Sequence, residues 1–362
     1  MRILRRHISV LIAAAVGAAG VGALDAQAAV FGTMPVKTGL DFPAAFTFAP
    51  DGRIFYGERF TGEIRVFDPL TGSDRLFYTV PNLSTTGEQG LLGLELHPNY
   101  PTTPWVYAYA TRIVSGQARN QILRLVDEGG IGTRLWAIFG APAGSNHNGG
   151  RILFGPDSRL YAVIGENGFA ARSQDLTTTV GKILRMTDRG GVPADNPFAG
   201  SYVYAYGIRN SFGFAFDPVT GRMWETDNGP TCNDELNRIV RGRNYGWGSS
   251  FTCATPPQPP ANTNQDGPNP HLPRLWYATS NAPTGVAFCQ GCALGSWSEG
   301  RLFFAAWKTR ELHRVTLGTK RWDVVSDRVK YTHPNRILSL EVAPDGALYL
   351  SDGSGIYRIT FS

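Results

Sequence analysis

Beyond residue 28 the sequence has no apolar run long enough to cross a bilayer as a helix, so a spanning segment is not expected there. It also has no run of Lys or Arg and no basic helical face, which leaves nucleic-acid binding without support. Helical periodicity is nearly absent, whereas 43 glycines and 24 prolines suit a chain with many turns. There is no cysteine before Cys232; all four (Cys232, Cys253, Cys289 and Cys292) lie in the second half. An even number in an exported chain favours disulfides, and the conservative pairing is Cys232–Cys253 with Cys289–Cys292. A zinc site would need four converging thiolates, and only one pair has the C-x-x-C spacing.

The start of the chain reads as a leader. Arg2, Arg5 and Arg6 precede an uncharged stretch of small apolar residues, Ile8 to Leu24, and Ala26-Gln27-Ala28 supplies an A-x-A cleavage pattern. The expectation is a signal peptide over 1–28 and export to the periplasm or medium. The alternative is an uncleaved anchor, and Arg5-Arg6 hints at a twin-arginine signal without the rest of that motif. Removing Arg2, Arg5, Arg6 and Asp25 lowers the net charge from +5 to +3. A mild, scattered positive balance is compatible with an anionic small molecule held at a few chosen arginines. The length of 29–362 admits two ordinary domains or one large all-β domain.

Self-similarity decides between them. Phe48-Ala49-Pro50-Asp51-Gly52-Arg53-Ile54 recurs as Phe154-Gly155-Pro156-Asp157-Ser158-Arg159-Leu160, as Phe216-Asp217-Pro218-Val219-Thr220-Gly221-Arg222-Met223 and as Val342-Ala343-Pro344-Asp345-Gly346-Ala347-Leu348. Degraded copies stand at Leu96-His97-Pro98-Asn99 and Ser298-Glu299-Gly300-Arg301-Leu302. Each copy is an alternating apolar run, a Pro-Asp-Gly-type turn and a second run rich in aromatic and β-branched residues. That is a β-hairpin: proline presets one turn dihedral, and Asp and Gly suit the others. A third run ending in arginine and an aliphatic residue follows in many copies, as in Ile64-Arg65-Val66 and Leu184-Arg185-Met186. Six such units predict an all-β protein, a six-bladed propeller of four-stranded antiparallel blades over 29–362. An open solenoid or a sandwich is the competing layout, but only a closed ring removes the strand edges. Residues 254–273, rich in Pro, Asn, Gln and Thr, break the repeat and read as a long loop over one face.

Several segments carry chemistry. Ser145-Asn146-His147-Asn148-Gly149-Gly150-Arg151 precedes the third unit's first strand, and Gly165-Glu166-Asn167-Gly168 follows the matching strand of the same hairpin. This register would set Glu166 beside His147, as a carboxylate orients a general-base imidazole. A structural histidine bonded to loop carbonyls is the equal alternative. Arg209 and Asn210 in Tyr206-Gly207-Ile208-Arg209-Asn210 offer a rigid cationic fork and an amide to an anion, unless Arg209 pairs with an acidic loop residue. Asp227-Asn228-Gly229-Pro230, Asn233-Asp234-Glu235-Leu236-Asn237 and Asn244-Tyr245-Gly246-Trp247 collect oxygens of the kind a hard cation takes, though an ordinary acidic turn has the same composition.

Taken together, these segments resemble the soluble glucose/sorbosone dehydrogenase family, the aldose sugar dehydrogenases that use pyrroloquinoline quinone (PQQ). The likeness runs from about Phe42 to the C-terminus. It rests on Gly87 to Gly93 with His97-Pro98, Asn146 to Arg151, Gly207 to Asn210, Asp227 to Pro230, Asp234 to Asn237 with Asn244 to Trp247, and Ala282-Pro283-Thr284-Gly285. The resemblance implies a general base at His147, with Glu166 orienting it. It implies cofactor contacts at Glu88, Arg209, Asn210, Thr284, Lys308 and Arg336. Gly229 and Pro230 are implied as backbone ligands of the Ca2+ that holds the quinone, and Glu235 and Tyr245 match positions tied to calcium in some members. It further implies oxidation of an aldose at C1 to the lactone, hydride passing to the quinone and electrons leaving to an external acceptor. Three departures stand out: Glu88 where the family often has Gln, Asn146 and Glu166 where some members have Asp, and Leu338 where a second arginine commonly follows Arg336. Two other functions compete, a non-enzymatic extracellular binding propeller and a calcium-dependent lactonase-type propeller; the His-Asn-Gly-Gly and Arg-Asn pairings favour the dehydrogenase.

Overall fold

A computed structural model describes residues 30–362. The expected leader over 1–28 lies outside the described residues. The chain forms 24 strands in six four-stranded antiparallel sheets, with almost no helix. The first blade takes Pro43–Phe48, Ile54–Glu58, Glu63–Phe67 and Asp74–Thr79, and the second Leu91–Leu96, Trp105–Val114, Gln117–Asp127 and Gly132–Pro142. The third takes Ile152–Phe154, Leu160–Ile164, Lys182–Met186 and Val203–Tyr206; the fourth Ser211–Phe216, Met223–Asp227, Asp234–Ile239 and Leu275–Tyr277. Pro283–Phe288, Leu302–Ala306, Glu311–Leu317 and Val324–Thr332 make the fifth. The sixth joins Ile337–Val342, Leu348–Asp352 and Gly355–Phe361 to the N-terminal strand Phe31–Thr38, which pairs from Phe31↔Phe361 to Thr38↔Gly355. The two ends of the chain thus close the ring in one sheet and leave no open edge at the seam.

All six repeat copies fall on one structural feature, the turn between a blade's first and second strands. In the first blade Ala49 N donates to Arg53 O and Gly52 N to Ala49 O, at 2.8 and 2.9 Å. Four strands per blade is an even number, and this parity positions the site. Each chain entry into a blade and each turn after a second strand must lie on one face of the ring; the Pro-Asp-Gly turns lie on the other. Glu88, His147, Arg209 and Ala282 enter blades, whereas Arg59, Glu166, Gly229 and Trp307 follow second strands, so all eight share a face.

Between blades the core is aromatic and β-branched, with Phe55, Tyr56, Trp224, Phe303 and Phe304 fully buried. Each such side chain contributes about 1.5–3 kcal/mol on leaving water, which holds the blades to their neighbours. Both disulfides of the conservative pairing are present. Residues 254–273 hold no strand; after one helical turn, Pro260–Thr263, the stretch places Asn264, buried, against Glu235 of the fourth blade. Among the described residues no helix is long and apolar enough to cross a membrane.

Candidate functional site

On the shared face the blade entries enclose a cavity of about 400 Å³ over the ring's axis. Its walls include Phe42 and Arg59 from the first blade, Glu88 and His147 from the entries to the second and third, Arg209, Asn210, Gly229 and Pro230 from the fourth, Thr284 and Trp307 from the fifth and Leu338 from the sixth. His147, Arg209 and Gly229, far apart in sequence, therefore face the same space.

His147 is held from both ends. Its backbone adopts φ 55°, a left-handed conformation that bulky residues enter only when their surroundings enforce it. The His147 amide donates to Glu88 Oε2 at 2.7 Å, and His147 Nδ1 lies 2.6 Å from Glu166 Oε1. Glu166 is buried, and its second oxygen has no protein partner. Two glycines make the approach possible. A Cβ on Gly165 would lie 2.4 Å from His147 O, and one on Gly149 would lie 2.4 Å from Val163 O. The Gly-Gly pair and the Gly before Glu166 are therefore packing requirements of the His–Glu contact. With Nδ1 turned to the carboxylate, Nε2 is the ring nitrogen left for the cavity.

Glu88, an acid where an anion is expected to bind, is not free: besides the His147 amide, Asn210 Nδ2 lies 3.4 Å from the same oxygen. Arg209 and Asn210 are fixed by Asp227, which accepts from the Arg209 amide at 2.8 Å and the Asn210 amide at 2.7 Å. Burial lifts the Asp227 carboxyl to about 6 against the pull of those two amides. Arg209 Nη1 donates to Asn228 O at 2.7 Å and Gly229 O at 3.2 Å, and its guanidinium stands 5.3 Å over the Trp247 ring. Burial lowers the guanidinium's pKa while Asp227, Glu166, Glu88 and Asp234 oppose it. Arginine stays charged through such shifts. Thr284 is buried at the cavity wall, donating to Ile337 O at 3.1 Å.

The four metal-ligand candidates do not form one set. Gly229 and Pro230 line the cavity, and the Gly229 carbonyl already faces a cation, the Arg209 guanidinium. Asp234 fixes this corner: Oδ1 accepts from Gly229 N, and Oδ2 from Ser280 Oγ, Asn281 N and Ala282 N. Glu235 is on the opposite side of its strand, as adjacent strand residues must be. Its oxygens accept from Asn237 Nδ2 at 3.0 Å and Asn264 Nδ2 at 3.1 Å, and Asn264 Nδ2 also donates to the Tyr245 carbonyl. The Tyr245 hydroxyl points elsewhere, donating to Arg238 O. Glu235 stands opposite Asp227 in the strand pair, and Glu225 opposite Asn237. Burial, then the neighbouring Asp227 charge, lifts Glu235 to about 8; burial, then Asp227, pushes Glu225 well above the ordinary range. Among the described residues no Lys or Arg side chain pairs with Glu225 or Glu235, and a buried oxygen on each of Glu225, Asn237 and Asn264 lacks a partner.

Two expected contacts stand outside the cavity. Lys308 is exposed, its amide bonded to Asn281 O; Arg336 lies behind Trp307, its guanidinium 5.0 Å from the indole. Sequence reasoning missed Arg59, Phe42 and Trp307. Arg59 follows a second strand, as Glu166 does, and superposing the repeats would have exposed it. Its Nε donates to Gln89 O at 3.1 Å, it also bonds the Gly87 carbonyl, and it packs over Phe42 and Phe60.

Residues 40–358 match the family described as Glucose / Sorbosone dehydrogenase. The chain belongs to that family of oxidoreductases. Among glucose/sorbosone dehydrogenases it is 29% identical over 349 residues to the aldose sugar dehydrogenase YliI of Escherichia coli, covering 91% of each chain. It is 32% identical over 245 residues to quinoprotein glucose dehydrogenase B of Acinetobacter calcoaceticus, which spans 59% of this chain and 51% of that one. The solved PQQ-bound aldose sugar dehydrogenase of Streptomyces coelicolor matches with a TM-score of 0.79 and 31% identity, over 92% of this chain and 98% of its own.

Proposed function

We propose that this protein is an exported PQQ- and Ca2+-dependent dehydrogenase that oxidises aldose sugars at C1 to the lactone. The observation that carries the reading is the convergence of a carboxylate-oriented imidazole, two arginines and a corner of backbone carbonyls on one aromatic-walled cavity. Family membership, the named relatives and the absence of a membrane-crossing helix among the described residues support it.

The residues fit the implied groups. A flat anionic ring system suits the cavity: Phe42, Phe212 and Trp307 supply apolar surface, and Arg59 and Arg209 supply charge. Leu338 lines this cavity in place of a second arginine, and Arg59, from the adjoining first blade, would supply a cation in its stead. Arg209, Asn210 and Thr284 would hold the quinone. Gly229 and Pro230 would present carbonyls to Ca2+ at the cavity, and Glu235 with the Tyr245 carbonyl would hold a second hard cation beneath it. The unpartnered oxygens of Glu225, Asn237 and Asn264 around Glu235 are what such an ion satisfies.

PQQ bound there with Ca2+ would supply an electrophilic carbonyl able to accept hydride from C1. The chain's own part is proton handling and orientation. Glu166 holds the imidazole through Nδ1, and Nε2 takes the proton of the C1 hydroxyl as the C1–H bond breaks. The developing imidazolium is stabilised by the buried Glu166 carboxylate 2.6 Å away. Glu88 holds the His147 backbone and so sets the ring's height over the cavity. The electrons then leave to an external acceptor. Protein reconstituted with PQQ and Ca2+ is expected to reduce a dye acceptor when an aldose is added, and His147→Ala is expected to abolish it; full activity in that variant would overturn the base assignment.

A further inference from the structure

Beside the cavity, with Trp307 as the common wall, lies a more open groove of about 500 Å³ between the fifth and sixth blades. Its charged lining is Arg310 and Arg336, with no carboxylate among the lining residues; Asn335 and Ser354 add polar groups. Neither arginine forms an ion pair among the described residues. Arg336 is committed only to the Trp307 face. Arg310 is built in more firmly: its backbone is at φ 63°, a conformation that costs a non-glycine residue, and its carbonyl accepts from His333 N at 2.8 Å. Its Nη1 donates to Pro334 O at 3.0 Å, which holds the fork against the groove.

The carboxylate nearest this lining is Asp352, buried beneath it. His333 Nε2, Asn335 Nδ2 and the amides of Ser354 and Gly355 occupy its oxygens at 2.7–3.0 Å. It braces the groove's floor and turns no free oxygen to a ligand. Counting it, the groove still carries two positive charges against one.

We propose that this groove binds a carboxylate carried on the second residue of the substrate, so that the aldose oxidised in the cavity is the reducing end of an acidic oligosaccharide. The inference rests on the dehydrogenase reading above and narrows its substrate class. The two spaces share Trp307 as a wall, so a substituent that passes the indole edge from the cavity would enter the space where Arg310 and Arg336 stand. Guanidinium forks match a carboxylate in two parallel hydrogen bonds, and neither fork has such a partner here.

The test compares two disaccharides with the same reducing-end glucose, one bearing glucose and one bearing glucuronate as the second residue, on the reconstituted holoenzyme. The acidic sugar is expected to show the lower KM, and Arg310→Ala to raise that KM about tenfold or more, the loss of one charge-assisted contact. KM for the neutral disaccharide should stay within about twofold, and 0.5 M NaCl should erode the preference because an open groove is screened. Equal KM values in the unaltered enzyme would overturn the groove's role while leaving the dehydrogenase reading intact. So would an effect of Arg310→Ala confined to the KM of an anionic dye acceptor. Calorimetric titration of the cofactor-free protein with the acidic disaccharide separates the two readings. Binding weakened by Arg310→Ala, in a protein that oxidises no aldose, would keep the groove as a carboxylate site and reject the dehydrogenase. Absence of binding would reject the groove.

Discussion

His147 Nδ1 and Glu166 Oε1 stand 2.6 Å apart, one in the entry to the third blade and the other after that blade's second strand. Glu166 is buried, so its charge is worth more to the imidazole than it would be in water. On the proposed reading, this pair would accept the proton and stabilise the cation that results.

Removing the imidazole should therefore cost a full general-base contribution, about 10²–10⁴-fold in kcat. Glu166→Gln keeps a hydrogen-bond acceptor but not the charge, and is expected to lose less, with a kcat–pH profile shifted relative to the unaltered enzyme. Steady-state kinetics with a dye acceptor over pH 5–9 checks both; an unshifted profile would mean the carboxylate does not act through the ring.

Arg59 and Arg209 should matter to ligand affinity more than to stability. Each charge-assisted contact is worth about 1.5–3 kcal/mol, or one to two decades in Kd. Arg59→Ala and Arg209→Ala are each expected to weaken PQQ binding by about 10- to 100-fold on that scale, read by fluorescence quenching. Lys308→Ala, exposed and outside the cavity, should change it little.

Deeper along the ring's axis, Arg151 bonds Glu341 and the Ser339 hydroxyl. Burial lifts Glu341 to about 7, against the opposing pull of Arg151. A carboxyl with a folded pKa above its unfolded value contributes stability at low pH that is lost as pH rises. Global stability should thus decline between about pH 4.5 and 7, the span from the ordinary glutamate value to the lifted one. Urea unfolding at pH 5 and 7.5 checks this, and Glu341→Gln should show a shallower decline.

The Cys232–Cys253 disulfide spans 21 residues and anchors the start of the segment that delivers Asn264 to Glu235. Loop-closure entropy for that length gives about 3 kcal/mol. Replacing both cysteines with serine should lower Tm measurably, and Ca2+ should protect the variant less than it protects the unaltered protein.

The blade count was readable because the Pro-Asp-Gly turn is a local event: proline, aspartate and glycine act within four residues. The His147–Glu166 contact was readable for a related reason, since one hairpin's register sets it. Phe42 and Trp307 were not, because only ring closure brings the first and fifth blades to one rim; Arg59 was missed although it holds in its repeat the place that Glu166 holds in its own. Strand alternation explains one other misplacement: Glu235 follows Asp234 but faces away from the Gly229 corner. Lys308 lies in the turn after Leu302–Ala306 and is exposed. Asn264 sits in a polar stretch with no pattern that could have announced its place beside Glu235.

The most direct test of the central claim is an absorbance titration of the purified protein with PQQ, with Ca2+ and then with a chelator, followed by addition of an aldose. The account predicts saturable binding of one quinone per chain, weakened by Arg209→Ala and by chelation, and bleaching of the oxidised-quinone spectrum once sugar is added. A flat titration, or a bound quinone whose spectrum no aldose changes, would contradict it.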